Sequence, residues 1–220
     1  MPWPGTPEEL VREQERLAAL ACEPWQPSRA PLLGACAVVS GPAGREDALW
    51  AAALLFSSGE TMATATAAAR TAEPFRAGRL ALREGPVLEA AVRALARRPD
   101  VLLVAAAGRD HPLRAGLALH VGALLDLPTV GVTDRPLLAT GEEPGAERGA
   151  VAPLRLGGEV VASWVRTRGG ARPVVAHAAW RTSAETASEV VLESSRTGRW
   201  PEPIRAARRL ARDMRARAAG

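Results

Sequence analysis

Apolar positions along the chain repeat with two periods, and the switches between them mark a succession of helices and strands. Leu10, Leu17 and Leu20 share one face of a helix predicted over Pro7–Ala21, with Thr6 placed to cap it. After a loop at Pro24–Pro31, the runs Leu32–Val39, Leu49–Phe56 and Thr61–Ala69 predict three consecutive strands, joined by GPAGRED and SSGE turns. Alanine dilutes the strand signal in the second and third. Pro86–Arg97 predicts an amphipathic helix, and Val101–Val104 is an apolar run of strand length broken at Gly108. His111–Pro112 is then expected to open a helix, since proline suits the first turn. That helix would carry Leu113, Leu117, His120, Val121, Leu124 and Leu125 at helical spacing, and Pro128 would end it. Thr129–Thr133 follows as a strand and Thr140–Pro153 as a loop. Glu159–Thr167 and Pro173–Ala179 predict two further strands about an RGGAR turn. Thr182 and Glu185 have capping-box spacing at the start of a helix running to Glu193. A break at TGRWPEP precedes a last helix, Ile204–Arg217, with Ile204, Ala207, Leu210, Ala211 and Met214 on one side. Three strands, then alternating helix and strand, then helix predicts an α/β fold: a mixed sheet flanked by helices, as one domain over residues 1–220 with its core within 7–217.

Composition narrows the class. The 220 residues suffice for a full hydrophobic core. Ala115–Val132, the best candidate for an apolar span, is interrupted by His120, Asp126 and Pro128, so no membrane segment is expected. MPWPGTPEEL lacks the cationic start of a secretory signal, and two cysteines make no disulfide framework, so a reducing cytoplasm is expected. Arginine supplies all 28 basic charges against 24 acidic ones. A net charge of +4 permits a nucleic-acid partner without requiring one.

The segment VLLVAAAGRDHPLRAGLALHVGALLDLPTVGVTDRPL resembles endonuclease V, a family of metal-dependent nucleases acting on deaminated nucleic acid. The family pattern is a strand ending V-D-G-x-G, then H-P, a helix, and a strand P-T-[IV]-G-V followed by lysine. Further segments match in order. Leu33-Gly34-Ala35-Cys36 corresponds to I-A-G-A-D, and Pro74-Phe75-Arg76-Ala77-Gly78 to the wedge loop P-Y-I-P-G inserted beside an extruded base. Leu82-Arg83-Glu84-Gly85-Pro86 corresponds to F-R-E-x-P, Ala179-Trp180-Arg181-Thr182-Ser183 to G-H-R-[IV]-[GS], and Trp200-Pro201-Glu202-Pro203-Ile204-Arg205 to L-P-E-P-x-R. The resemblance implies a ribonuclease H-like fold and a Mg²⁺ site built from three carboxylates. It also marks what this chain lacks. Cys36 and Ala105 stand at two aspartate positions, Asp134 at the lysine position and Trp180 at the histidine position; Glu84 and His111 remain. Thiolate is a soft ligand, poorly matched to a hard cation that wants oxygen. The wedge counterpart Phe75, with Arg76, and the pocket counterparts Gly78 and Leu80, with Arg181, are the candidate substrate-binding residues.

Each of these residues also has a plainer role. Asp110 reads first as the N-cap of the His111–Pro112 helix, and second, with Asp134 and Glu84, as a replacement metal ligand in the same cleft. Glu84 sits at a helix start favourable to an acid, and Cys36 reads as a small core hydrophobe. His111 reads as a helix-start hydrogen-bonding residue or a site remnant, and His120 and His177 as interior histidines. Arg205, Arg208, Arg209, Arg212 and Arg215 form a stripe that is either a solvated face or a phosphate-binding one. The preferred reading is a nucleic-acid-binding relative of endonuclease V that has lost its hydrolytic centre and needs no cofactor. The alternatives are an active endonuclease with rebuilt Mg²⁺ or Mn²⁺ ligands, and a protein-interaction scaffold anchored by Trp3, Trp25 or Trp200.

Overall fold

The computed structural model describes residues 2–218. Its first helix, α1 (Pro7–Ala19), begins as the sequence indicates: Thr6 accepts a hydrogen bond from the Glu9 N–H (3.2 Å), Pro7 occupies the first turn, and Leu10, Gln14 and Leu17 face inward. β1 (Leu33–Ser40), β2 (Ala48–Ser57) and β3 (Glu60–Arg70) form an antiparallel meander. The β2–β3 turn is closed by Ser58 and Gly59, both at positive φ, as a tight hairpin requires.

α2 (Leu80–Arg93) crosses the sheet over β1 to β3. It begins six residues before the expected Pro86, and that proline lies inside it. Pro86 is exposed, whereas Ala81, Arg83, Gly85, Val87 and Leu88 are buried, so burial of the surrounding face overrides the proline penalty. β4 (Val101–Val104) returns parallel to β1. α3 (Leu117–Leu125) and β5 (Thr129–Thr133) then complete a parallel β1–β4–β5 centre. α3 does not start at His111–Pro112. Residues 111–114 make a single turn, closed by the Arg114 N–H on the His111 carbonyl (2.9 Å), and Arg114 at φ 57° prevents propagation. Gly116 is the N-cap.

β6 (Val151–Leu156) begins inside the expected loop Thr140–Pro153, while β7 (Glu159–Val165) falls within the expected strand Glu159–Thr167. β6 escapes the pattern because it is an edge strand with only Leu154 buried, and an edge tolerates Pro153. β8 (Val174–Ala178) pairs antiparallel with both β5 and β7. α4 (Ala184–Glu193) is capped by Ser183, which accepts from the Thr186 N–H (3.0 Å), and not by Thr182. Thr182 instead donates to the Thr129 carbonyl (2.6 Å), tying the β8 end to β5. α5 (Glu202–Arg217) ends the described chain.

The eight strands run β3-β2-β1-β4-β5-β8-β7-β6. One face carries α1, α2 and α3 over Cys36, Leu88, Leu102, Val104 and Leu119; the other carries α4 and α5 over Leu54, Leu103, Val130, Val132 and Ile204. β1, β4 and β5 are thus sandwiched on both faces, which is why they read as nearly continuous apolar runs.

His120, 1% exposed, stacks on Trp3 with ring centroids 4.6 Å apart, and neither ring nitrogen has a hydrogen-bond partner among the described residues. Burial pushes its pKa down to about 4 from an ordinary 6.5. Between those values the unfolded chain binds the extra proton, so stability falls as pH drops from about 6.5 toward 4. His120→Phe keeps the stacking and should flatten this acid limb by roughly 2–3 kcal/mol, read from urea unfolding at several pH values.

Candidate nucleic-acid cleft

β4 ends beside the middle of the parallel strand β1, which continues to Ser40. Cys36 pairs with Val104, and the next N–H, that of Ala105, donates to the Cys36 carbonyl (3.3 Å). The two positions that carry aspartates in the resemblance are therefore adjacent where β4 ends. Cys36 is fully buried, and burial pushes its thiol well above the ordinary range, so it stays protonated. Ala105 offers no donor atom.

Glu84 is the fifth residue of α2, past the first turn, so the helix-start role expected of it is not what the structure shows. Its carboxyl makes no hydrogen bond or ion pair among the described residues. Burial raises its pKa to about 7, with Arg83 opposing. Arg83 is buried and reaches the Ser40 hydroxyl (3.2 Å), the Glu73 carbonyl (2.6 Å) and the Glu46 carbonyl, so it staples α2 to the end of β1.

A cavity of about 230 Å³ opens beside Ala105, lined among others by Phe75, Gly78, Leu80, His111, Leu117 and Thr133. Phe75 projects from the wedge-like segment at 68% exposure. His111 fixes that segment: its Nδ1 accepts from the Leu113 N–H (3.2 Å), which leaves the proton on Nε2 to donate to the Gly78 carbonyl (3.0 Å). Gly78 at φ 79° turns that carbonyl toward the ring. Burial holds the His111 pKa below its ordinary value, with the Gly78 bond and Asp110 opposing, so the ring is neutral at pH 7. Arg76 and Arg181 do not line the cavity. Arg181 reaches the Glu23 carbonyl (3.4 Å) and lies 3.9 Å from Asp126.

Trp180 is 9% exposed within the core under α3, its indole nitrogen without a partner among the described residues. Asp110 neither caps a helix nor faces an open site. It is fully buried, and its two oxygens accept the N–H groups of Leu137 (2.7 Å), Leu138 (2.9 Å) and Ala139 (2.8 Å). Asp134 is bonded to Arg199 at 2.6 Å and does not line the cavity. Among the described residues no three of His, Cys, Asp and Glu are grouped so as to hold a metal ion. At the paired positions Cys36 and Ala105, a buried protonated thiol and a methyl group do not fit a hard divalent cation.

Sequence reasoning missed the role of Thr133, whose hydroxyl lies 2.7 Å from His177 Nε2 and donates to the Arg135 carbonyl (2.7 Å) at the cavity rim. His177 is fully buried and 3.8 Å from Asp110. The alternation Thr129, Gly131, Thr133, opposite inward-facing Val130 and Val132, carried the signal.

Parallel β1–β4–β5 strands within a mixed sheet, with the cleft at their C-terminal ends, define a ribonuclease H-like α/β protein. The sequence profile of endonuclease V matches residues 28–209, and the chain belongs to that family. It is 36% identical to the endonuclease V of Streptomyces coelicolor over 215 residues, covering 96% of this chain and 91% of that protein. With that of Roseiflexus castenholzii it shares 35% over 213 residues, or 96% and 94%. The crystal structure of the Streptomyces avermitilis endonuclease V superposes with a TM-score of 0.90 at 34% identity, over 99% of this chain and 96% of that one. A Ciona intestinalis endonuclease V solved with a 23mer DNA containing an inosine followed by a ribo-adenosine shares the fold, with a TM-score of 0.78 at 23% identity over 97% and 99%.

Replacing Asp110 tests its structural role. Asp110→Ala orphans three backbone N–H groups and should cost about 3–5 kcal/mol. Limited proteolysis should then cut first within residues 136–140, whereas a replacement ligand would leave this loop protected.

Proposed function

We propose that this chain is a nucleic-acid-binding endonuclease V in which the hydrolytic centre has been vacated. The observation that carries the reading is the donor set where β1 meets β4, since the carboxylates that would anchor Mg²⁺ and activate water are replaced by a buried thiol and a methyl group. Retained features support binding. Phe75 is an exposed aromatic on a segment pinned by His111 beside a cavity of about 230 Å³, the arrangement needed to fill a base stack when a base is drawn out. The inosine-containing DNA held by the Ciona protein supports the same substrate class. His111, Gly78, Leu80 and Thr133 would line the pocket of the extruded base, with the neutral His111 positioning the wedge.

The second reading, a nuclease with a rebuilt Mg²⁺ or Mn²⁺ site, draws on Glu84, whose carboxyl is unpartnered. It needs further oxygen ligands, and the two acids nearest in sequence to the cleft are committed, Asp110 to three N–H groups and Asp134 to Arg199.

The test is cleavage of deoxyinosine- and riboinosine-containing oligonucleotides with Mg²⁺ or Mn²⁺, with binding measured in parallel. The expected outcome is salt-sensitive binding, with or without metal, and no cut product. Metal-dependent nicking that disappears in Glu84→Ala would establish the rebuilt site instead.

A further inference from the structure

Asp134 follows Thr133, which lines the cleft, but its carboxylate turns toward α5. There it holds Arg199, whose remaining donors are fixed on the carbonyls of Arg172 (2.8 Å) and Pro173 (3.0 Å). Arg208 of α5 lies against this pair with its guanidinium 3.8 Å from the centroid of the Trp200 ring. It is half-buried and makes no hydrogen bond or ion pair among the described residues. Arg212, one turn later, is exposed and equally without a partner. At the far end of the helix, Arg215 donates to the Ser40 carbonyl (3.1 Å) at the end of β1. The arginine-bearing side of α5 therefore runs from the end of β5 to the end of β1. The end of β4, with Ala105, lies between those strands in the sheet.

Asp134 pairs with Arg199, and neither Arg208 nor Arg212 has an ion-pair partner among the described residues. Burial holds Arg208 below its ordinary pKa, Arg212 and Arg199 add to the effect, and Asp134 alone opposes it. Stacking on Trp200 fixes the guanidinium plane while leaving its edge of N–H donors free, which is the geometry that takes a phosphate bidentately. The i, i+4 spacing puts Arg212 beside it on the same face. Asp134, at the position where the family pattern has a lysine, thus organises arginines instead of contributing a cation itself.

We propose that Arg208 and Arg212 form a phosphate-binding site that carries the backbone of a single nucleic-acid strand away from the cleft along α5. The proposal rests on the nucleic-acid reading above, and the experiment separates the two. Fluorescence anisotropy is measured over a salt series with two single-stranded probes of equal length, one containing a deoxyinosine and one wholly abasic. The parent should bind both and prefer the first. Arg212→Gln, which breaks no hydrogen bond or ion pair among the described residues, should reduce the slope of log affinity against log salt by about 0.7, and the Arg208→Gln/Arg212→Gln pair by about 1.4. Both probes should weaken by the same factor, so the inosine preference persists. Arg97→Gln, on the far side of the sheet, should leave the slope unchanged. An unchanged slope in the Arg212→Gln and double variants while the parent binds overturns the site and leaves the cleft reading intact. Parent binding to both probes without inosine preference, lost in the double variant, upholds the site and overturns the base pocket. No binding by the parent to either probe overturns both.

Discussion

The parallel pairing of β1, β4 and β5 is the constraint on which the rest of the molecule depends. Helices cover these strands on both faces, so their residues are apolar and their backbone groups are satisfied within the sheet, by one another and by the flanking β2 and β8. Register then brings Cys36 and Ala105 together and sets Thr133 at the neighbouring strand end. A cleft arises there because the connections leave the sheet at that edge, and it persists whichever side chains stand at its base. That separation of scaffold from chemistry lets an endonuclease V fold keep its shape with Cys36 and Ala105 at these two positions.

Acids near the cleft are used for structure. Asp110 supplies a buried anion to three consecutive N–H groups of the loop after β5, which shapes the far wall of the cavity. Asp134 is drawn to Arg199 on the other side of the sheet. Glu84 is the exception. Burial raises its pKa, Arg83 partly opposes the shift, and its carboxyl has no hydrogen-bond or ion-pair partner among the described residues.

The sheet centre was legible in the sequence because β1, β4 and β5 are short apolar runs bounded by Gly and Pro, and the order of motifs revealed the family. What escaped was governed by tertiary contacts. The start of α2 depends on burial of Ala81 and Arg83 ahead of an exposed Pro86, and β6 on pairing at an edge where one inward residue suffices. His111–Pro112 carries a helix-start signal, but Arg114 in the left-handed region delays the helix to Leu117. At the site, sequence reasoning paired Cys36 with Ala105, which the register places side by side, and Ala105 lines one cavity with His111. The sequence could not show that Asp110 would be enclosed by backbone donors, or that Thr133 and His177 would meet across β5 and β8.

The central claim is that Cys36 and Ala105 occupy a vacated metal site in an otherwise intact scaffold. Thermal unfolding of the parent and of the Cys36→Asp/Ala105→Asp variant, each with and without Mn²⁺, tests it most directly. With Glu84, the variant gathers three carboxylates whose repulsion should lower its stability without metal. Mn²⁺ at about 100 times its Kd should restore about 2.7 kcal/mol, an upward shift of roughly 5–10 °C, and leave the parent where it was. Equal shifts in the two proteins would contradict the claim.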